Sequence, residues 1–248
     1  MSGHSKWATI KHKKGAADAK RGQVFTKLIR EITVAARNGG GDPDSNPRLR
    51  LAIEKAREAN MPKDNVEKAV KRGTGELEGI TYEEVAYEAY GPGGVALYIE
   101  ALTDNKNRTT AEVRNILTKR SGNMAGAGAT AWLFQKKGYL LVEKATAEEE
   151  RLMTLVLEAG AEDFKSDGSS YEIITDQKAF EAVKQALAAA KIPTSSAELT
   201  MLPTSTVRVD GSDAKQVLAL VEALEEHDDV QHVYANFDIP DEILAQIA

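Results

Sequence analysis

The chain contains no cysteine in 248 residues. That excludes disulfide frameworks, thiolate zinc sites and cysteine nucleophiles together, and it suits a reducing cytoplasm, the compartment expected here. Long apolar runs are missing too, since none approaches the ~18 residues needed to cross a bilayer. The N-terminus carries cations but neither an apolar stretch nor a small-residue cleavage site behind one, so no secretory leader is expected. Catalytic signatures are also lacking. His4, His12, His227 and His232 show no metal-ligand spacing, and no serine stands in a nucleophile-elbow context. The turn Gly91-Pro92-Gly93-Gly94 lacks the Gly-Lys-Ser/Thr ending of a phosphate-binding loop, and "GNMAGAG" (122–128) follows a helix rather than a strand. No catalytic residue, metal ligand or cofactor site is assigned. A binding protein is expected rather than an enzyme.

What is present is an ordinary globular composition, 42% hydrophobic and 28% charged, in a chain long enough for two or three domains. The net charge of −6 hides a sharp asymmetry. Residues 1–73 hold 17 Lys and Arg against 8 Asp and Glu, while residues 74–248 hold 15 against 30. A basic module on an acidic body points to a polyanionic partner for the first part. The acidic body would repel nucleic acid, focusing it on the module, or dock a basic protein.

Apolar periodicity divides the chain further. From Ala16 to Asn38 the residues Val24, Phe25, Leu28, Ile29, Ile32, Ala35 and Ala36 recur at helical spacing. A second helix begins at Asn46-Pro47 and a third at Pro62, ending at Gly73. The stretch "GTGELEG" (73–79) marks a boundary. Beyond it the period becomes two: a hairpin turns at Gly91–Gly94, a helix follows with Thr109 as its cap, and "ATAWLFQ" reads as a strand.

From Gly138 the order is β-α-β-β-α-β, that of a ferredoxin-like sandwich. The fold class expected is therefore α+β and multidomain: a three-helix domain (1–75), an α/β domain (80–136 plus 204–240), and a second α/β domain (137–203) inserted into it. One long mixed sheet is the alternative, disfavoured by the punctuation at Gly138 and Pro203.

On a helical wheel Lys20, Lys27, Arg30 and Arg37 share one quadrant away from the apolar stripe, and "SKWATIKHKKG" adds Lys6, Lys11, Lys13 and Lys14 with Trp7 and His12 interleaved. Such a strip follows a phosphate backbone, or else forms the solvated side of an amphipathic helix with Trp7 as a core anchor. The loop "TDNKNRTTAEVRN" sets Lys106 and Arg108 at a helix N-terminus, a place for a second phosphate or simply a capped loop. The acids Glu148–Glu150, Glu225, Glu226, Asp228 and Asp229 read as solvated helix faces and ends, with cation binding by Asp228 and Asp229 beside His227 as the alternative.

The segments "GHSKWATIKHKKGAADAKRGQVFTKLIREI", "NPRLRLAIEKAREANMPKDNVEKAVKRGTG", "YGPGGVA" and "DNKNRTTAEVR" resemble the YebC/PmpR family of probable transcriptional regulatory proteins, which includes the mitochondrial translational activator of cytochrome c oxidase. The resemblance runs over essentially the whole chain, with its most specific motifs in the first 75 residues. It implies a three-domain cytoplasmic protein with no cofactor and no catalysis. It further implies DNA-binding transcriptional regulation or, as in the mitochondrial branch, action in translation on ribosomal or transfer RNA. Ala89 stands where the family often has glycine, and Lys106 where arginine is usual. The expected contact surface is Lys6, Lys11, Lys13, Lys14, Lys20, Arg21, Lys27 and Arg30. Lys106 and Arg108 form a possible second phosphate site. The expected partners are DNA, or RNA of the ribosome, and no membrane.

Overall fold

The computed structural model describes residues 18–240 and residue 243. Its first part is three helices, α1 (Asp18–Gly39), α2 (Pro47–Glu58) and α3 (Lys63–Thr74). Their shared core is rich in alanine: Ala35, Ala36, Ala52, Ala56 and Ala69 stand with Ile32, Leu49 and Met61. Small side chains let the helix axes approach closely. At Gly73 of α3 an added Cβ would lie 2.4 Å from the carbonyl oxygen of Thr33 in α1. Asn46 fixes the entry to α2. Its Oδ1 accepts from the amide of Leu49 (3.1 Å), and its Nδ2 donates to the carbonyls of Ala35 (2.8 Å) and Gly40 (2.9 Å). One buried amide side chain thus caps a helix start and satisfies the carbonyls at the end of α1.

The body begins with β1 (Glu83–Tyr90) and β2 (Ala96–Thr103), an antiparallel hairpin, followed by α4 (Lys106–Lys119) and the short β3 (Asn123–Met124). The chain then departs through β4 (Phe134–Glu143), α5 (Glu149–Glu158), β5 (Ala161–Asp167), β6 (Ser170–Thr175), α6 (Phe180–Ala189) and β7 (Ser196–Pro203). It returns through β8 (Val207–Arg208), α7 (Gly211–Glu225), β9 (Val230–Ala235) and β10 (Phe237–Asp238). Two four-stranded sheets result, in orders β3-β1-β2-β9 and β5-β6-β4-β7. The second is the ferredoxin-like order, antiparallel throughout. In the first, α4 and α7 cover one face, with Leu97, Ile99, Val113, Leu117, Leu220 and Leu224 in the core between them.

Two sequence expectations change. The strands expected at "ATAWLFQ" and "GYLLVE" are one strand, β4, preceded by a 3-10 turn at Ala131–Leu133. Gly138 lies within β4 as a site of close approach, because a Cβ there would stand 2.2 Å from Thr175 Oγ1 and 2.6 Å from Phe180 Cδ2. Pro203 likewise closes β7 in register with Phe134. The cap of α4 is Asn105, whose side chain accepts from the amide of Arg108 (3.1 Å); Thr109 is buried one turn inside.

Candidate nucleic-acid interface

The polar face of α1 meets the body. Lys27 Nζ donates to the carbonyl of Glu225 (2.5 Å), the last residue of α7, and Gln23 donates to that of Glu226, its cap, at a helix end whose carbonyls accept from outside donors. A cation here is also favoured by the negative end of the helix dipole. One turn on, Arg30 donates to Asp229 Oδ1 (2.5 Å) and to the carbonyls of Asp228 (2.7 Å) and Leu102 (3.3 Å). Arg37 continues the row, donating to the carbonyl of Tyr82 (2.5 Å). Three of the four cations on the expected strip therefore lie in a seam between the helical module and the body. Arg48, 2.7 Å from Glu31 and 2.5 Å from Glu84, extends this seam. Lys55 with Glu198 (3.4 Å) and Glu54 with Lys184 (2.7 Å) join α2 to the second sheet and to α6.

Asp229 is the hub. Its side chain is only 3% exposed, and its oxygens accept from Arg30, from Arg108 Nη2 (2.8 Å) and from Thr109 Oγ1 (2.5 Å). Burial opposes its ionisation, but the bonds from Thr109, Arg108 and Arg30 outweigh burial and hold its pKa down to about 2. The bond it donates to Asp229, with a second donated to Asp104, raises the Arg108 guanidinium above its ordinary value. Glu112 Oε2 lies 2.8 Å from His227 Nε2, and Glu112, His227 and Asp229 bring one ligand atom each within 4.8 Å of one another. Two guanidinium groups already neutralise Asp229, so a metal ion at this cluster would have to displace them.

The contact residues expected from sequence are thus divided. Lys6, Lys11, Lys13 and Lys14 lie outside the described residues, as does Trp7; of Lys20 only the backbone, in the first turn of α1, is described. Arg21 is exposed beside it, whereas Lys27 and Arg30 are seam residues. Lys106 is exposed, but its companion Arg108 is held by Asp104 (2.8 Å) and Asp229, so an anion arriving there would meet two carboxylates as well. On α2 and α3, Arg57, Lys68, Lys71 and Arg72 are exposed and enter no ion pair among the described residues. The seam role of Asp229 left no sign in "EEHDDV"; the one available hint was that a basic strip on one part of a chain needs an acid, and the body carries the surplus.

A model of the TACO1/YebC protein N-terminal domain matches residues 5–76, and one of the TACO1/YebC second and third domain matches residues 82–237. The chain belongs to the TACO1/YebC family. Members from Natranaerobius thermophilus (58% identical, covering 98% of this chain and 99% of the relative) and Geobacter sulfurreducens (57% identical, all of both) are each named probable transcriptional regulatory protein. Among solved structures, a conserved hypothetical protein of this fold from Aquifex aeolicus matches with a TM-score of 0.82 at 50% identity, over 92% of this chain and 94% of that one. For a TACO1/YebC member these likenesses confirm the α+β architecture and support a role in regulation.

Proposed function

We propose that this TACO1/YebC protein is a nucleic-acid-binding regulator of gene expression that holds phosphates through the leading edge of its helical module. The observation that carries this reading is the density of cations in the sequence ahead of the seam. Lys27, Arg30 and Arg37 are bound by the body, while residues 1–21 hold six lysines and arginines against Asp18 alone. Lys6, Lys11, Lys13, Lys14, Lys20 and Arg21 form the contact set, and Lys27 and Arg30 orient the module that presents it. The names of the relatives favour DNA and transcription. A second reading, a translation factor on ribosomal or transfer RNA, is favoured by Trp132, an indole 70% exposed, because unpaired bases are read by stacking.

Reversing Lys13, Lys14 and Arg21 to Glu tests the contact set. Each lost phosphate contact lowers the slope of log affinity against log salt by about 0.9 on duplex DNA, so a drop of about 2 to 3 is expected along with the affinity. A folded triple variant with unchanged affinity overturns the assignment. Crosslinking in cells, followed by sequencing of the attached nucleic acid, separates promoter DNA from ribosomal or transfer RNA.

A further inference from the structure

The helical module has an open side. α1 packs against both α2 and α3, and between those two helices runs a groove of about 530 Å³. Its walls are apolar: Ile53 of α2, Val66 and Val70 of α3, and Met61 from the connection between them. All four belong to, or pack against, the cluster that holds the module together, yet Ile53, Val66 and Val70 are only half-buried. Core walls left open to water in this way lack a cover. The volume falls in the range of about 300–1,000 Å³ that encloses a small organic ligand, so it admits a large side chain with a neighbour. Arg57, Lys63 and Lys71 stand on the rim against Glu67 and Glu76. Lys63 lies 3.2 Å from Glu67, whereas Arg57 and Lys71 enter no ion pair among the described residues.

The chain has two ends that could supply the cover. One is already placed on the body, where Ile243 packs against the core of the first sheet. The other enters the module directly, because α1 opens at Asp18. Ahead of Asp18, residues 1–17 hold no acid, four lysines and, past Met1, two large apolar residues, Trp7 and Ile10. Reach is ample. The chain from Trp7 to Asp18 spans up to about 36 Å when extended. Along α1 it is only about 16 Å from Asp18 to Ile29, which packs against the same cluster as Met61. A segment tethered this closely is present at an effective concentration on the order of millimolar, an advantage that no separate partner shares.

We infer that the groove between α2 and α3 is the docking site of the chain's own N-terminal segment, with Trp7 and Ile10 covering Ile53, Met61, Val66 and Val70. An indole brings a large apolar area to such a site. Docking also has a consequence for charge. Lys6 and Lys11 flank Trp7 and Ile10 in sequence, so the docked segment brings them beside Arg57 and Lys71, and one phosphate chain then meets both sets. Phosphates that bind the joined surface favour the docked form, and docking favours their binding by the same factor. This last step rests on the nucleic-acid reading above; the docking itself does not.

The experiment uses the full chain carrying Trp132→Phe, so that Trp7 is the one tryptophan left to report. Without nucleic acid, its fluorescence is expected to be shifted to shorter wavelength and shielded from acrylamide, relative to a peptide of residues 1–17. Ile53→Gln with Val66→Gln on the groove walls, and separately Ile10→Gln on the segment, are expected to abolish most of that shielding; the second touches none of the module's described core. Trp7 as accessible as in the peptide overturns the docking. Shielding that survives both groove substitutions overturns the choice of groove, and shielding that grows with protein concentration assigns the occupant to a second copy. Ile10→Gln removes no charge, so duplex DNA is expected to bind it roughly 5- to 150-fold more weakly with an unchanged salt slope. Unaltered affinity overturns the coupling, while a parent chain that binds no DNA overturns the nucleic-acid reading and leaves the shielding to decide the docking.

Discussion

A carboxylate that receives two guanidinium groups and a threonine hydroxyl is worth most when none of them is removed. Replacing Asp229 with Ala leaves Arg30 and Arg108 facing each other without their shared acceptor, and a buried charge stripped of its partner costs about 3–5 kcal/mol. Urea unfolding of Asp229→Ala is expected to show a loss of that order. The acid limb tests the same residue. Because the folded pKa of about 2 lies below the ordinary 3.8, ionised Asp229 contributes stability that is complete above pH 4. The contribution, about 2 kcal/mol at most, disappears as pH falls through 2. Asp229→Asn is expected to flatten the stability profile between pH 4 and 2, and an unaltered profile there removes Asp229 from its role as hub. None of this was legible in the sequence, where an aspartate at a helix exit looks the same whether it faces water or two arginines.

At the scale of elements, spacing between helices is set by what the side chains leave out. Gly73 brings α3 against α1, and its replacement by Ala puts a Cβ 2.4 Å from Thr33 O and 2.7 Å from Ala36 Cβ. An isolated helix would gain about 1 kcal/mol from that change. The packed protein is expected instead to lose about 1–3 kcal/mol, read as a lower urea midpoint, because backbone is the obstacle and must shift. Elements of this kind were largely readable beforehand. The change of period from 3.6 to 2 after residue 79 located the body, and the alternation from Tyr139 to Leu202 yielded the ferredoxin-like order, since each strand carries its own pattern. Misreadings fell where one residue type serves two purposes: Gly138 breaks strands in general but here admits Phe180, and Thr109 resembles a cap but donates to Asp229.

For the molecule as a whole, the charge asymmetry is met in part within the chain itself. Part of the positive surplus on α1 meets the negative surplus of the body within the same chain, and a helical wheel separates polar from apolar faces without naming the partner of either. Arg30→Ala is expected to loosen the helical module from the body. The exposed connection 75–81 then becomes more open to proteases, with cleavage about tenfold faster for each ~1.4 kcal/mol of docking lost. If Lys27 and Arg30 serve the seam alone, the salt dependence of nucleic-acid binding stays as it was in this variant, and a reduced slope returns Arg30 to the contact surface.

The chain leaves the first sheet for the second and returns to it at nearly one point. Thr204 donates its amide to the carbonyl of Leu133 at 2.8 Å, and the neighbouring Phe134 and Pro203 are in register. Excising residues 134–203 would leave a gap no wider than one hydrogen-bonded pair, short enough for a tight turn to close. The cost would fall on Tyr98 and Tyr234, which lose the cover of Phe134 and Met201, and on α2, where Lys55 and Glu54 lose Glu198 and Lys184. The protein thus carries its ferredoxin-like unit like a cassette on a single stem, removable or exchangeable without re-threading the sheet that bears it.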